Sequence, residues 1–367
     1  MAGSHRPHSP PACGFGLLAA LLVLTGCLPG TGGDDDRSLA PADSASIAVA
    51  DAAEVDTLTL AWTARAPDGA PLLHPTSLGW LADGRIAVVE TQGGAIHLFG
   101  PEGADAGRID LPDASYPYFA GAAGDTVAVL ARGTGRIVWA SDEGLLDSLD
   151  LGEGAVAARA ASPREAVAVR RGGGTTEEPA RLDVVAPDGS VLRSTPLPVD
   201  WRAAGFVRTW GDTLVALSGY RPVVDLVTAR GPDTLALRGF TSPQMARSAQ
   251  FMRGDVDQPP LLTSSADAVG DALYVLNLRG DHVRIEVYGR DGRLRRALVS
   301  PRPWSPLQHV PIDVGARRAA DGALEFAVLM QRSAGLLQSG DAYLALYRWS
   351  PTLSRPPSRT ETRSTPR

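Results

Sequence analysis

Asp83-Gly84-Arg85-Ile86-Ala87-Val88-Val89-Glu90-Thr91-Gln92-Gly93-Gly94-Ala95-Ile96-His97-Leu98-Phe99 reads as a tight turn, an apolar run, a small polar loop and a second apolar run. Asp-Gly favours a turn, because glycine accepts a positive φ and aspartate hydrogen-bonds its own backbone. The runs on either side are aliphatic and β-branched, the composition of strands. IAVV is apolar at every position rather than every second one, which belongs to a strand covered on both faces.

The same pattern recurs along the chain. First runs follow Asp83-Gly84, Gly124-Asp125, Arg164-Glu165, Gly211-Asp212, Gly270-Asp271 and Asp321-Gly322; the third is the loosest, with Pro163 before its turn. Second runs begin at Ala95, Arg136, Arg181, Val223, Arg284 and Tyr343, and more polar third runs begin at Arg108, Leu145, Val191, Asp233 and Leu294. A further strand precedes each first run, as at Ser77 to Leu81, Phe119 to Ala123, Phe206 to Trp210 and Ile312 to Ala316. Four strands per unit, repeated six times at intervals of roughly 40 to 60 residues, predict an all-β, six-bladed β-propeller. Rising polarity from the inner strands to runs such as RLRRALV matches blades whose outermost strand meets solvent. The sixth unit has no outer strand of its own before Pro351, and Asp56 to Thr63 (DTLTLAWT) is a strand without a unit. Pairing the two closes the ring and removes an exposed edge. Five or seven blades, or unclosed sandwiches, are the competing architectures.

With this turn-strand-loop-strand-turn-strand unit, the region from about 56 to 350 resembles the six-bladed propellers of the NHL-repeat type, with Ala95 standing where their loop usually carries Arg. The resemblance implies a fold and no activity, since propellers host binding modules, lyases and lactonases alike.

The N-terminus reads as an address. Leu17 to Leu24 (LLAALLVL) is an apolar core too short to cross a bilayer, and Leu24-Thr25-Gly26-Cys27 directly behind it resembles the bacterial lipoprotein box. That resemblance implies a signal peptide over 1–26, removed together with Cys13, and acylation of Cys27, giving a palmitate-bearing membrane anchor on an exported, cell-envelope protein. The expected organisation continues with the acylated Cys and a flexible, small and acidic tether over 27–53, the propeller over 54–351 and a disordered tail over 352–367.

Composition removes whole classes of function. The chain has 367 residues with net charge −6, which excludes nucleic-acid binding through overall positive charge. Its only cysteines are Cys13 and Cys27, so the propeller holds no disulfide, thiolate metal site or cysteine nucleophile. All 35 basic residues are arginine, a bias that weakens any argument from arginine content alone.

With the four strands of each blade lettered a to d from the axis outward, antiparallel pairing puts the a–b and c–d turns on one face and the b–c and d–a connections on the other. The long insertions, Arg171 to Ala180, Thr241 to Pro260 and Met330 to Gly340, all belong to the second set. Function concentrates on long loops carried by a rigid scaffold. The expected ligand-binding positions around that mouth are His74, Glu90, Arg132, Arg170, Tyr220, Asn277, His309 and Asp313. The expected role is non-catalytic binding of an envelope protein, peptide or glycan, without nucleic acid and without a cofactor. The alternative is a metal-assisted hydrolase or lyase, lactonase-like or lyase-like, at the channel mouth, using Ca or Zn on His74, His309, Asp267 and Asp313.

Overall fold

The computed structural model describes residues 41–350 except 66–71, 73, 92, 173–179, 198–205, 218, 220, 258–259, 280–281, 302–308 and 333–341. The chain opens with α1 (Pro41–Ala52), β1 (Glu54–Thr57) and β2 (Thr59–Ala64). Blade 1 is β3 (Pro75–Trp80), β4 (Ile86–Glu90), β5 (Ala95–Phe99) and β6 (Asp105–Asp110); blade 2 is β7 (Pro117–Ala123), β8 (Thr126–Ala131), β9 (Arg136–Ser141) and β10 (Gly144–Asp150). Blade 3 is β11 (Ala155–Arg159), β12 (Val167–Arg171), β13 (Arg181–Val185) and β14 (Val191–Pro196); blade 4 is β15 (Val207–Trp210), β16 (Thr213–Leu217), β17 (Val223–Thr228) and β18 (Gly231–Ala236). After α2 (Met245–Arg253), blade 5 is β19 (Thr263–Val269), β20 (Ala272–Asn277), β21 (Arg284–Tyr288) and β22 (Leu294–Val299). Blade 6 is β23 (His309–Arg318), β24 (Leu324–Arg332) and β25 (Ala342–Trp349), completed by β2.

The double-sided apolar runs explain how these sheets stack. Ile86 and Val88 of β4 enter a core shared with blade 6, while Ala87 and Val89 enter one shared with blade 2. An apolar cluster fills each of the six junctions in turn, so the sheets form a closed ring. Near the axis the inner strands come close enough to need glycine: a Cβ on Gly79 would lie 2.0 Å from the Phe119 ring, and one on Gly121 would lie 1.8 Å from the Ala160 carbonyl oxygen.

The ring closes as expected, with two differences in the N-terminal segment. β2 pairs antiparallel with β25 as the outer strand of blade 6. The stretch read as one strand breaks at Leu58, which is fully buried and donates its N–H to the Val299 carbonyl at 2.8 Å. Upstream of that break β1 crosses to blade 5 and runs parallel to β22 as a fifth strand. Arg296 on β22 holds it through Glu54 and Asp56, and the Trp349 indole donates to Asp56 at 2.9 Å. The segment expected to be a tether through residue 53 is helical from Pro41. Proline suits the first helical position, alanine favours the rest, and Val49 and Ala53 pack on the apolar core between blades 4 and 5.

Candidate functional site

Antiparallel pairing within each blade puts every a–b and c–d connection on one face, none longer than 160–166. The connections 65–74, 172–180, 197–206, 237–262, 300–308 and 333–341 all leave from the other face. The mouth of the channel on that long-connection face is where the sequence places its candidate site, and four of the eight expected residues, Glu90, Arg170, Asn277 and Asp313, are buried.

Glu90 ends β4 and is buried, with Oε2 2.9 Å from Nε2 of His97, itself buried on β5. Asn277 ends β20, fully buried; its Nδ2 donates to Glu286 on β21 at 2.9 Å and to the Thr241 carbonyl at 2.8 Å. Arg171 ends β12 and donates from Nε to Asp183 on β13 at 2.6 Å. These pairs repeat one design. The third residue of strand c is a buried polar group in four blades: His97, Asp183, Asp225 and Glu286. In three of them it meets the last residue of strand b. Sequence reasoning missed these four, although the signal is visible as a polar residue at one position of AIHLF, RLDVV, VVDLV and RIEVY.

The other expected positions scatter. Arg170, fully buried, faces the next blade and donates from Nη1 to the Leu217 carbonyl at 3.1 Å. Arg132 lies 3.5 Å over the Tyr118 ring. Arg279, which is outside the expected set, donates to the Thr241 carbonyl at 2.6 Å and pins the loop that carries α2. His74 is half-buried with φ +57°, its carbonyl accepting from Thr91, and His309 stands edge-on to Tyr343 at 5.0 Å. Tyr220 and Cys27 lie outside the described residues. Among the described residues there is no group of three or more His, Cys, Asp or Glu arranged to hold a metal ion, so His74, His309, Asp267 and Asp313 do not form the cluster that alternative requires.

Asp313 and Asp267 do come to the axis, on adjacent inner strands. Asp313 on β23 accepts from the Leu78 N–H of blade 1 at 2.7 Å, from the Val314 N–H at 2.9 Å and from the Ser265 hydroxyl of blade 5. Asp267 on β19 accepts from Ala316 of blade 6 at 2.8 Å and from Ala268 at 2.9 Å. Burial pushes both carboxyls above their ordinary range, with Arg208 acting in the opposite direction. Asp183 moves the other way. Burial raises it, but Ser194, Arg171 and Arg181 all bond its charged form and hold it below the usual carboxylate range. At every blade junction a comparable bond crosses from a side chain: Ser77 to Phe119, Arg159 to Ala120, Arg170 to Leu217, Arg290 to Trp210, Asp267 to Ala316 and Asp313 to Leu78.

Fold and site together define a six-bladed β-propeller whose axial acids are interblade latches. Among solved structures, a catalytically inactive virginiamycin B lyase from Staphylococcus aureus with quinupristin is similar at 13% identity and TM-score 0.50, over 79% of this chain and 99% of that one. The Pan2 WD40 domain of Neurospora crassa gives 10% identity and TM-score 0.47, over 82% and 98% of the two chains. Glutaminyl cyclase from Myxococcus xanthus gives 10% and 0.38, over 81% and 98%. At such identities the likeness establishes the fold alone. No protein-family model matches the sequence, and no curated protein matches it.

Proposed function

We propose that this chain is an exported bacterial lipoprotein, anchored through acyl chains on Cys27, whose NHL-type propeller binds an envelope protein, peptide or glycan through its long-connection face. The observation that carries the binding reading is the segregation of every long connection to one face of a ring whose other face has only short turns. The Leu24-Thr25-Gly26-Cys27 box behind an apolar core supports the anchor. Against the metal-assisted hydrolase or lyase, the oxygens of Asp267 and Asp313 are engaged by backbone N–H groups and Ser265.

Two measurements test this. Radiolabelled palmitate should enter the native chain and be lost in Cys27→Ala; labelling that persists removes the anchor. A photo-crosslinker at Arg247, exposed on α2 of the long-connection face, should trap an envelope component that one at Glu143, on the tight-turn face, does not. Equal or reversed trapping overturns the choice of face.

A further inference from the structure

The opposite end of the channel carries a second, unassigned feature. A cavity of about 130 Å³ is lined by Trp80, Phe119, Arg159, Arg208, Thr209 and Asp267, among others. Trp80, Arg159 and Thr209 sit at or next to the ends of β3, β11 and β15, and inner strands run from the long-connection face toward the tight turns. The cavity therefore lies at the tight-turn end, beneath the Asp313, Ser265 and Leu78 network that spans the axis above it.

We propose that this cavity binds a small monocarboxylate, held between the guanidinium groups of Arg159 and Arg208. The argument starts from Arg159. Its Nη1 donates to the Ala120 and Ala160 carbonyls, each at 3.1 Å, and among the described residues no carboxylate forms an ion pair with it. Arg159 is half-buried; burial and the neighbouring Arg208 both weigh against its charged form, and Asp267 and Glu165 offset this only at a distance, so an anion entering the cavity would stabilise it. Gly121 lets it sit there, since a Cβ at that position would lie 1.8 Å from Nη1. Of the nearby acids, Glu165 is exposed and makes no ion pair with Arg159, while Asp267 and Asp313 are tied to backbone N–H groups of blades 5, 6 and 1 and cannot swing to Arg159 without breaking interblade bonds.

Arg208 supplies the second donor. Its Nη1 is bonded to the Val207 carbonyl at 3.1 Å and its Nη2 stands 3.5 Å from Asp313, beyond an ideal hydrogen bond. Arginine presents a planar fork suited to a carboxylate. The two fixed aspartates oppose a second negative charge, which favours a monoanion over phosphate. Leu78, Trp80 and Phe119 give the site apolar walls for a short alkyl group. This site lies at the other end of the ring from the proposed partner face, so either assignment stands or falls without the other.

Calorimetry on the full chain, at constant ionic strength with chloride as the blank, tests the assignment. Sodium acetate should bind one equivalent per chain, and phosphate at least tenfold more weakly. Arg159→Gln should weaken acetate at least tenfold. Thr209→Phe, which fills the cavity from an exposed position and leaves both arginines in place, should do the same and decides the matter where Arg159→Gln does not fold. A short peptide acid compared with its amide separates the sources of the carboxylate. Binding of the acid alone, tighter than acetate, identifies a partner's C-terminus; acetate binding without peptide binding identifies a free small acid. Absence of acetate binding, phosphate binding as tightly as acetate, or full acetate affinity in Thr209→Phe overturns the proposal.

Discussion

At Gly121 the ring has no room for a single methyl group. The position needs glycine for space rather than for backbone freedom, because the built Cβ meets the Ala160 oxygen and Arg159 Nη1, both at 1.8 Å. Gly121→Ala should cost about 1–3 kcal/mol through overpacking, read as a lower urea midpoint with little change in slope. Asp183 makes a prediction with a definite pH sign. Its carboxyl is held below its ordinary value of 3.8, so between that value and the native one the folded chain binds fewer protons than the unfolded chain. Its contribution is therefore complete above the ordinary value and fades as pH falls through the native one. Asp183→Asn should lose about 1.5–3 kcal/mol at pH 7, the scale of hydrogen bonds to a charged group. That difference should shrink on acidification below 3.8 in urea melts at stepped pH. Asp313 has the opposite sign. Burial raises its carboxyl, so its linked contribution is complete below 3.8 and declines as pH rises through the raised native value.

Among the elements, β1 and β2 do different work although they adjoin. β2 is structural closure, whereas β1 is a parallel addition clamped mainly by Arg296, whose guanidinium also lies 5.3 Å from the Trp349 ring. Leu58 sits between them, fully buried in the core shared by blades 5 and 6. Leu58→Ala should cost about 2–5 kcal/mol, as buried leucine truncations do. Arg296→Ala removes partly exposed ion pairs and should cost about 1 kcal/mol or less. Chemical denaturation of the two variants checks the order; equal losses would mean that β1 matters to closure as much as the buried leucine does. This pair also shows what the sequence could reveal. DTLTLAWT announces strand, and the missing outer strand of the sixth unit announces its partner. Nothing in local pattern announces that the chain turns at Leu58, because the turn is decided by a core assembled from residues 274 to 347. The helical Pro41–Ala52 was hidden for a related reason: its small residues look like a spacer until the rim of blades 4 and 5 offers them a surface. The site was less legible than the fold. Strand b ends on the long-connection face, but Glu90, Arg170 and Asn277 turn inward because each finds a partner on a neighbouring strand or blade.

For the whole molecule, the decisive property is that a closed ring has no end from which to unravel, and Asp313 bears directly on it. One carboxylate joins three blades, accepting from Ser265 of blade 5, from Leu78 of blade 1 and from its own strand in blade 6. Asp313→Ala leaves two backbone N–H groups and a buried hydroxyl without this acceptor, a loss of about 3–5 kcal/mol for a broken buried charge network. The location of the damage is more telling than its size. If the axial network is the latch of the ring, hydrogen exchange at Leu78 and along β19 and β23 should accelerate under native conditions, while Val169 and Leu182 in blade 3 keep their protection until global unfolding. Uniform acceleration across all six blades would instead mean that the apolar junctions alone couple the ring, with the axial carboxylate contributing only to its total stability.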